Sequence, residues 1–247
     1  MEKTKMKVRL VSYSVPSKEY FGTAAVEDGK VTPEDLIAHA ARVSNPSNQD
    51  NFDTAPKLLR YLVKHGHWSP FEMASACLEI ETTRDIARQI LRHRSFSFQE
   101  FSQRYADPTK DLEFSTRETR MQDKENRQNS IEIENDPAIQ DDPIRSGIVG
   151  EWSRIQAGIK NASKDAYQKA IEKGIAKEVA RAVLPEGLTN SRLYMNGTLR
   201  SWLHYVDLRA GPETQKEHRL IAIACKDALD EIFPSIMEII AEKHNTF

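Results

Sequence analysis

A chain of 247 residues with 39% hydrophobic and 29% charged residues is long enough to bury a sizeable core and too apolar to stay unfolded. The formal net charge of -2 excludes a general attraction to nucleic acid or an anionic membrane, so any anion site must be a local cluster of arginine and lysine. Cys77 and Cys225 are too few for a disulfide framework or a four-thiolate zinc site, and they suit a reducing compartment, so the cytoplasm is expected.

Residues 1–7 are too basic and polar for a secretory signal, and no later stretch approaches the ~18 apolar residues that span a bilayer. Alternation around Val8 and Leu10 predicts a strand over 6–13. Thr32-Pro33-Glu34-Asp35 combines a cap, a first-turn proline and acids facing the positive end of the helix dipole, and predicts a helix ending near Ser44. Leu58, Leu59, Leu62 and Val63 predict a helix over 55–65, with Gly66 as its left-handed cap. Ala76, Leu78 and Ile80 alternate as a strand, after which Thr83 caps a helix that gives way near Arg94.

The polar stretch 106–142 reads as strands broken by a mobile loop. Ile144, Ile148, Trp152, Ile155, Ile159 and Ala162 then mark a long amphipathic helix ended by Gly174. More helix is expected at 175–184, stopped by Pro185, at 197–209, and at 213–243 with a kink at Pro234. Helix outweighs strand, giving an α+β chain.

Chemistry concentrates between Arg92 and Tyr105, where three arginines, one histidine and three serines fall within fourteen residues. Guanidinium forks suit phosphate, and Gln89, Arg92 and His93 share one face at the helix end. Three readings compete at this point. The run can be an anion site, a dipole-compensating helix end followed by a buried strand face with Phe96 and Phe98, or a stacking surface for single-stranded nucleic acid. The last fares worst because the rest of the chain is not basic.

Arg92-His93-Arg94, then seven residues, then Ser102, resembles the signature of the flavin-dependent thymidylate synthases, a family unrelated in fold to the folate-only thymidylate synthases. Further blocks in the same order extend the resemblance over roughly residues 36–220. They are Ala41-Arg42-Val43-Ser44, His65 to Glu72, Arg88-Gln89, Ala180 to Pro185 and Arg200 to Arg209.

The resemblance implies transfer of a one-carbon unit from methylenetetrahydrofolate to C5 of dUMP, giving dTMP and tetrahydrofolate, with FAD reduced by NADPH. It also implies one domain over 1–247 with an insertion near 122–145. The expected fold has a central, mostly antiparallel sheet flanked by long helices, assembled as a homotetramer with shared active sites. No nucleic acid and no membrane is expected as a partner.

Carried over by position, the resemblance makes Arg209, at the uracil O4 and N3 edge, and Ser102, beside the uracil, the catalytic residues. Gln89, Arg92, Glu100, Phe101, Ser102, Gln103, Arg104, Arg181 and Arg209 are the expected substrate contacts, with Glu100 between nucleotide and flavin. Ser44, Ser69, Arg92, His93, Arg94, Glu100, Thr198, Arg200 and His204 match cofactor-binding positions, and His67 and Tyr105 border the folate site. Two departures stand out. Thr198 replaces an asparagine common in the family, and Glu213-Thr214-Gln215 replaces a His-Ala-Gln.

Neither cysteine lies in the Pro-Cys-Gln setting of a folate-only synthase nucleophile, and both read as core residues. No Gly-x-Gly-x-x-Gly follows a strand, so no Rossmann unit is expected. His65 and His67 lack a third ligand, so no metal is expected, and nothing supplies an elbow for a Ser102–His93 hydrolase. A non-catalytic nucleotide- or flavin-binding relative and a single-stranded nucleic-acid binder are the rival classes. Ser102, Arg104, Arg181 and Arg209 together favour the enzyme, because a binder needs no arginine at the uracil edge.

Overall fold

The computed structural model describes residues 6–244. Residues 1–5 of the polar opening stretch, read above as no export signal, and residues 245–247 lie outside them.

In chain order the elements are β1 (Lys7–Tyr13), α1 (Lys18–Phe21), α2 (Thr23–Glu27), α3 (Pro33–Ala41), α4 (Ala55–Lys64), β2 (Ser75–Thr83), α5 (Arg84–Ile90) and β3 (Ser97–Glu100). There follow α6 (Pro108–Asp111), β4 (Arg120–Gln122), β5 (Ser130–Glu132), α7 (Asp142–Glu172), α8 (Lys177–Ala180), β6 (Asn190–Thr198), α9 (Leu199–Arg209), α10 (Lys216–Asp230) and α11 (Pro234–His244). The class is α+β, as expected. A four-stranded sheet runs in the order β1-β2-β6-β3, and β4 and β5 form a separate antiparallel pair.

The described chain divides into two compact units, one of residues 7–80, 93–99 and 194–244, the other of residues 6, 81–92 and 100–193. In the first, α3 begins as its sequence demands. The Asp35 amide donates to Thr32 Oγ1 and the Thr32 amide donates back to Asp35 Oδ2 at 2.7 Å, a reciprocal capping box. Leu59 and Leu62 of α4 are buried, and Gly66 beyond it holds a φ of 68°, where a side chain would be strained. Ala76, Leu78 and Ile80 of β2 point into the core, and the buried Trp202 of α9 donates its indole N–H to the Ala76 carbonyl at 3.0 Å. Helices α9, α10 and α11 pack in sequence, α11 also meets α4, and α10 lies on β1. Burying each such Leu or Ile contributes roughly 1.5–3 kcal/mol.

Helix α11 is separate from α10, not continuous through a kink. Proline 234 has no amide hydrogen and opens α11 at its first position, while Ile236 N–H finds the buried Glu34 carboxylate at 3.0 Å. Burial raises the Glu34 pKa, with the Ile236 amide acting against that shift.

The second unit holds α5, the β4–β5 pair, α7 and α8. The polar stretch 106–142 contains the expected strands as a short hairpin. Its loop is pinned by Asp123, whose carboxylate accepts from the Glu125 and Asn126 amides and from Asn129 Nδ2. Those three bonds, the Asn126 amide first, hold the Asp123 carboxyl below its ordinary pKa. Residues 122–145, expected as an insertion, supply part of this hairpin, a single 3-10 turn and the start of α7. Asp141 caps α7, and among its residues only Gln156 and Tyr167 are buried. Gln156 grips the Arg117 backbone twice, accepting from its amide at 2.6 Å and donating to its carbonyl at 2.9 Å. The apolar stripe predicted on α7 faces outward within the single chain, with Ile144, Trp152, Ile155 and Ile159 exposed.

Four elements differ from the expectation. Helices α1 and α2 carry no strong periodic signal. Beyond α8 the helix tightens to a 3-10 turn over Arg181–Val183, earlier than Pro185 requires. Strand β6 replaces what was expected to be loop and the first turn of the next helix.

Candidate active site

In the unit containing residues 81–92 and 100–193, the short α5 ends at Ile90, and its last turns carry Arg88, Gln89 and, just beyond, Arg92. Glu100 at the end of β3 is the hub. Its Oε1 accepts from Ser191 Oγ at 2.8 Å and lies 3.7 Å from the buried Arg84, while Oε2 lies 3.4 Å from Arg88. Both arginines also approach Glu186, at 3.6 and 3.8 Å. One hydroxyl donor and two guanidinia on its two oxygens fix the direction of this carboxylate.

After Glu100 the chain turns. The Phe101 amide donates to the Arg192 carbonyl at 2.8 Å, and the Ser102 carbonyl accepts from the Tyr105 and Ala106 amides. Ser102 Oγ accepts from the Arg104 amide at 3.3 Å, so the hydroxyl is held inside its own turn. Gln103 is buried, and its Nε2 has no hydrogen-bond partner among the described residues. Arg104 reaches Glu178 at 3.2 Å and lies over the exposed Tyr105 ring. The Arg92 and Arg181 side chains have no hydrogen-bond or ion-pair partner among the described residues.

In the other unit, Arg209 at the end of α9 donates through Nε to His93 Nε2 at 3.0 Å. The His93 ring stands edge-on to Tyr205, with centroids 4.9 Å apart, and Tyr205 Oη lies 3.2 Å from His218 Nε2. His218 is fully buried, and burial, with the Arg209 charge acting the same way, pushes its pKa down to about 3. Tyr205 is held un-ionised by its own burial.

Thr198 caps α9 by accepting from the Ser201 amide at 3.4 Å, and its hydroxyl donates to Glu72 at 2.8 Å. Arg200 donates to the other Glu72 oxygen, also at 2.8 Å, and these two bonds, the Thr198 one first, lower the Glu72 pKa. His204 and Trp68, with ring centroids 4.6 Å apart, line a cavity of about 520 Å3 together with Lys64, Leu203 and Asp207. Ser69 lies instead on an apolar groove of about 660 Å3 with Val43, Pro70 and Met73. Ser44 is exposed just past α3, and His67 is exposed beyond α4. Arg94 has no side-chain partner among the described residues.

A family model described as thymidylate synthase complementing protein matches residues 25–235. The chain belongs to this family, that of the flavin-dependent thymidylate synthases, and is an enzyme of that class. It is 45% identical over 214 residues, 87% of this chain and 93% of the relative, to a protein named as a probable flavin-dependent thymidylate synthase from Paramecium bursaria Chlorella virus 1. It is also 45% identical over 232 residues, 94% and 97% of the two chains, to the flavin-dependent thymidylate synthase of Synechocystis sp. PCC 6803. In fold it is similar to the UMP/dUMP methylase PolB from Streptomyces cacaoi, a crystal structure with 5-Br UMP, at a TM-score of 0.74. That match has 24% identity and covers 98% of this chain and 96% of that one.

In this family member the expected site residues fall into separate groups along the chain. His93 is brought to Arg209, and Thr198 and Arg200 meet on Glu72, whereas His204 lines the one cavity, Ser69 the apolar groove, and Ser44 neither of these two. Sequence reasoning missed Glu72, Arg84, Ser191, Tyr205 and His218 as partners of those residues. Glu72 and Tyr205 lay inside quoted blocks, but no spacing rule links either to its partner. Among the described residues no group of three or more His, Cys, Asp and Glu side chains is placed to hold a metal ion.

Proposed function

We propose that this enzyme transfers a one-carbon unit from methylenetetrahydrofolate to C5 of dUMP, giving dTMP and tetrahydrofolate, with FAD as its flavin and NADPH as the reductant. The observation that carries the proposal is Arg209. Its guanidinium is half-buried, is held only at Nε by a neutral ring, and has no carboxylate partner among the described residues. Such a charge suits the negative charge that develops on uracil O4 when C5 becomes nucleophilic.

The residues present fit a flavin. Arg92 and Arg94 offer guanidinia that have no partner among the described residues for its phosphates, and Trp68 and His204 place two aromatic faces beside a cavity of suitable volume. The bound flavin would supply the two electrons that turn a transferred methylene into a methyl group. This chain's residues do the rest. Arg104, Arg181 and the Ser102–Gln103 turn hold phosphate and sugar, Gln89 and Phe101 complete the nucleotide contacts, and Ser102 stands beside the uracil. Glu100, fixed by Ser191, Arg84 and Arg88, separates nucleotide from flavin, while Ser44, Ser69, Thr198, Arg200, His93 and His204 serve the cofactor. Metal chemistry plays no part in this scheme.

The enzyme works in the cytoplasm as a homotetramer of single-domain chains with shared sites. The outward stripe of Ile144, Trp152, Ile155 and Ile159 supports assembly, since four large apolar side chains on one helix face favour burial. Light scattering of Ile155→Asp against the native chain tests this, and an unchanged mass would remove α7 from the assembly.

Purified protein should be yellow, release FAD on heating, and methylate dUMP only when methylenetetrahydrofolate and NADPH are both present. Colourless protein that FAD cannot reconstitute would overturn the proposal.

A further inference from the structure

We infer that His93 is a positioning residue for Arg209, fixing the plane of the guanidinium without cancelling its charge. This deepens the role given to Arg209 above and rests on it.

The geometry dictates the protonation. Arg209 Nε–H can donate to His93 Nε2 only if that nitrogen carries a lone pair, so the ring is neutral with its proton on Nδ1. A carboxylate in the same place would orient the guanidinium equally well, but it would offset the charge that a developing oxyanion needs. The imidazole does the first and not the second. With Nε committed, the two terminal nitrogens have no protein partner among the described residues and keep the whole charge for a ligand.

The ring that holds Arg209 is itself held. Tyr205 meets it at an interplanar angle of 85°, and His218 meets it at 83° with centroids 6.2 Å apart, so two edge contacts restrain its rotation. Behind them, Tyr205 Oη and His218 Nε2 lock to one another at 3.2 Å. Burial keeps His218 uncharged, so Arg209 is the one permanent charge among the four side chains.

The test is a double-mutant cycle on the flavin-loaded enzyme, with turnover normalised to bound flavin because His93 also stands among the expected cofactor contacts. His93→Leu removes the acceptor, whereas His93→Gln keeps a side-chain carbonyl able to accept. His93→Leu should lower kcat at saturating dUMP about tenfold or more, the usual effect of losing a hydrogen bond to a charged group, and His93→Gln should recover most of it. In an Arg209→Ala background the same His93→Leu change should cost less than about twofold, because the residue it acts through is gone. An equal cost in both backgrounds, no cost in either, or equal loss in the Leu and Gln variants would overturn the inference. If His93→Leu fails to fold, as judged by circular dichroism, the cycle is run with His93→Gln and His93→Asn, which differ in reach to Arg209. Near-normal turnover of Arg209→Ala alone would instead sink the proposed role of Arg209, and so separates the two failures.

Discussion

Replacing Arg209 by alanine removes the charge that the proposed chemistry depends on while disturbing little else. The side chain makes one hydrogen bond, to His93, and no ion pair among the described residues. Its loss should therefore cost about 1–2 kcal/mol of stability. Loss of one preorganised donor at a developing oxyanion costs ~3 kcal/mol of transition-state stabilisation, a hundredfold or more in rate. Arg209→Ala should fold, retain its flavin and lose most of its turnover at saturating nucleotide. Arg209→Lys should recover little, because an ammonium cannot span two atoms of a uracil edge as a planar fork does. Arg104→Ala and Arg181→Ala should mainly raise KM, since phosphate is gripped alike in ground and transition states. Steady-state kinetics with flavin content measured in each variant decides it. An Arg209→Ala enzyme with near-normal kcat would refute the reasoning and leave Ser102 and the flavin to carry the reaction.

The cysteines offer a second check. Cys225 is fully buried and burial pushes its thiol pKa up, as it does more weakly at Cys77, so neither is a thiolate nucleophile. Cys77→Ala combined with Cys225→Ala should keep turnover, and its abolition in a folded protein would contradict a mechanism without a cysteine nucleophile. The third concerns pH. His218 has a folded pKa of about 3 against 6.5 unfolded, so its contribution is fully present above pH 6.5 and is lost as pH falls from there toward 3. The slope approaches ~1.4 kcal/mol per pH unit within that window. Urea unfolding of His218→Asn should show a shallower decline between pH 6.5 and 4.5 than the native chain, and identical slopes would rule the effect out.

How much of this was legible in the sequence depends on the range of the interaction. Helix α3 was readable because its start is written in four consecutive residues, and the structure closes that capping box with two short-range bonds. The α4 stop at Gly66 is equally local. Strand β6 was not readable, although Leu193, Met195 and Gly197 alternate inward. Asn190, Ser191, Asn196 and Gly197 have poor strand propensity, and packing overrode it. A Cβ on Gly197 would lie 2.5 Å from the Phe96 ring, so the apparent strand breaker is what lets that ring close on the sheet.

The candidate site follows the same division. Arg92, His93 and Arg94 are adjacent, and their density was a signal of function before any fold was known. What each then does is set by partners far away in sequence. Of the three, His93 meets Arg209, 116 positions on, whereas its two neighbours have no side-chain partner among the described residues. Thr198, a departure from the family's common asparagine, shows the same thing from the other side. Its hydroxyl donates to Glu72, 126 positions away, and its oxygen also caps α9, so the substitution still supports Arg200 through their common carboxylate. A hydroxyl there can satisfy both the cap and Glu72 because it accepts and donates at once. An alanine at 198 would lose both bonds, and Arg200 would then share Glu72 with no second donor.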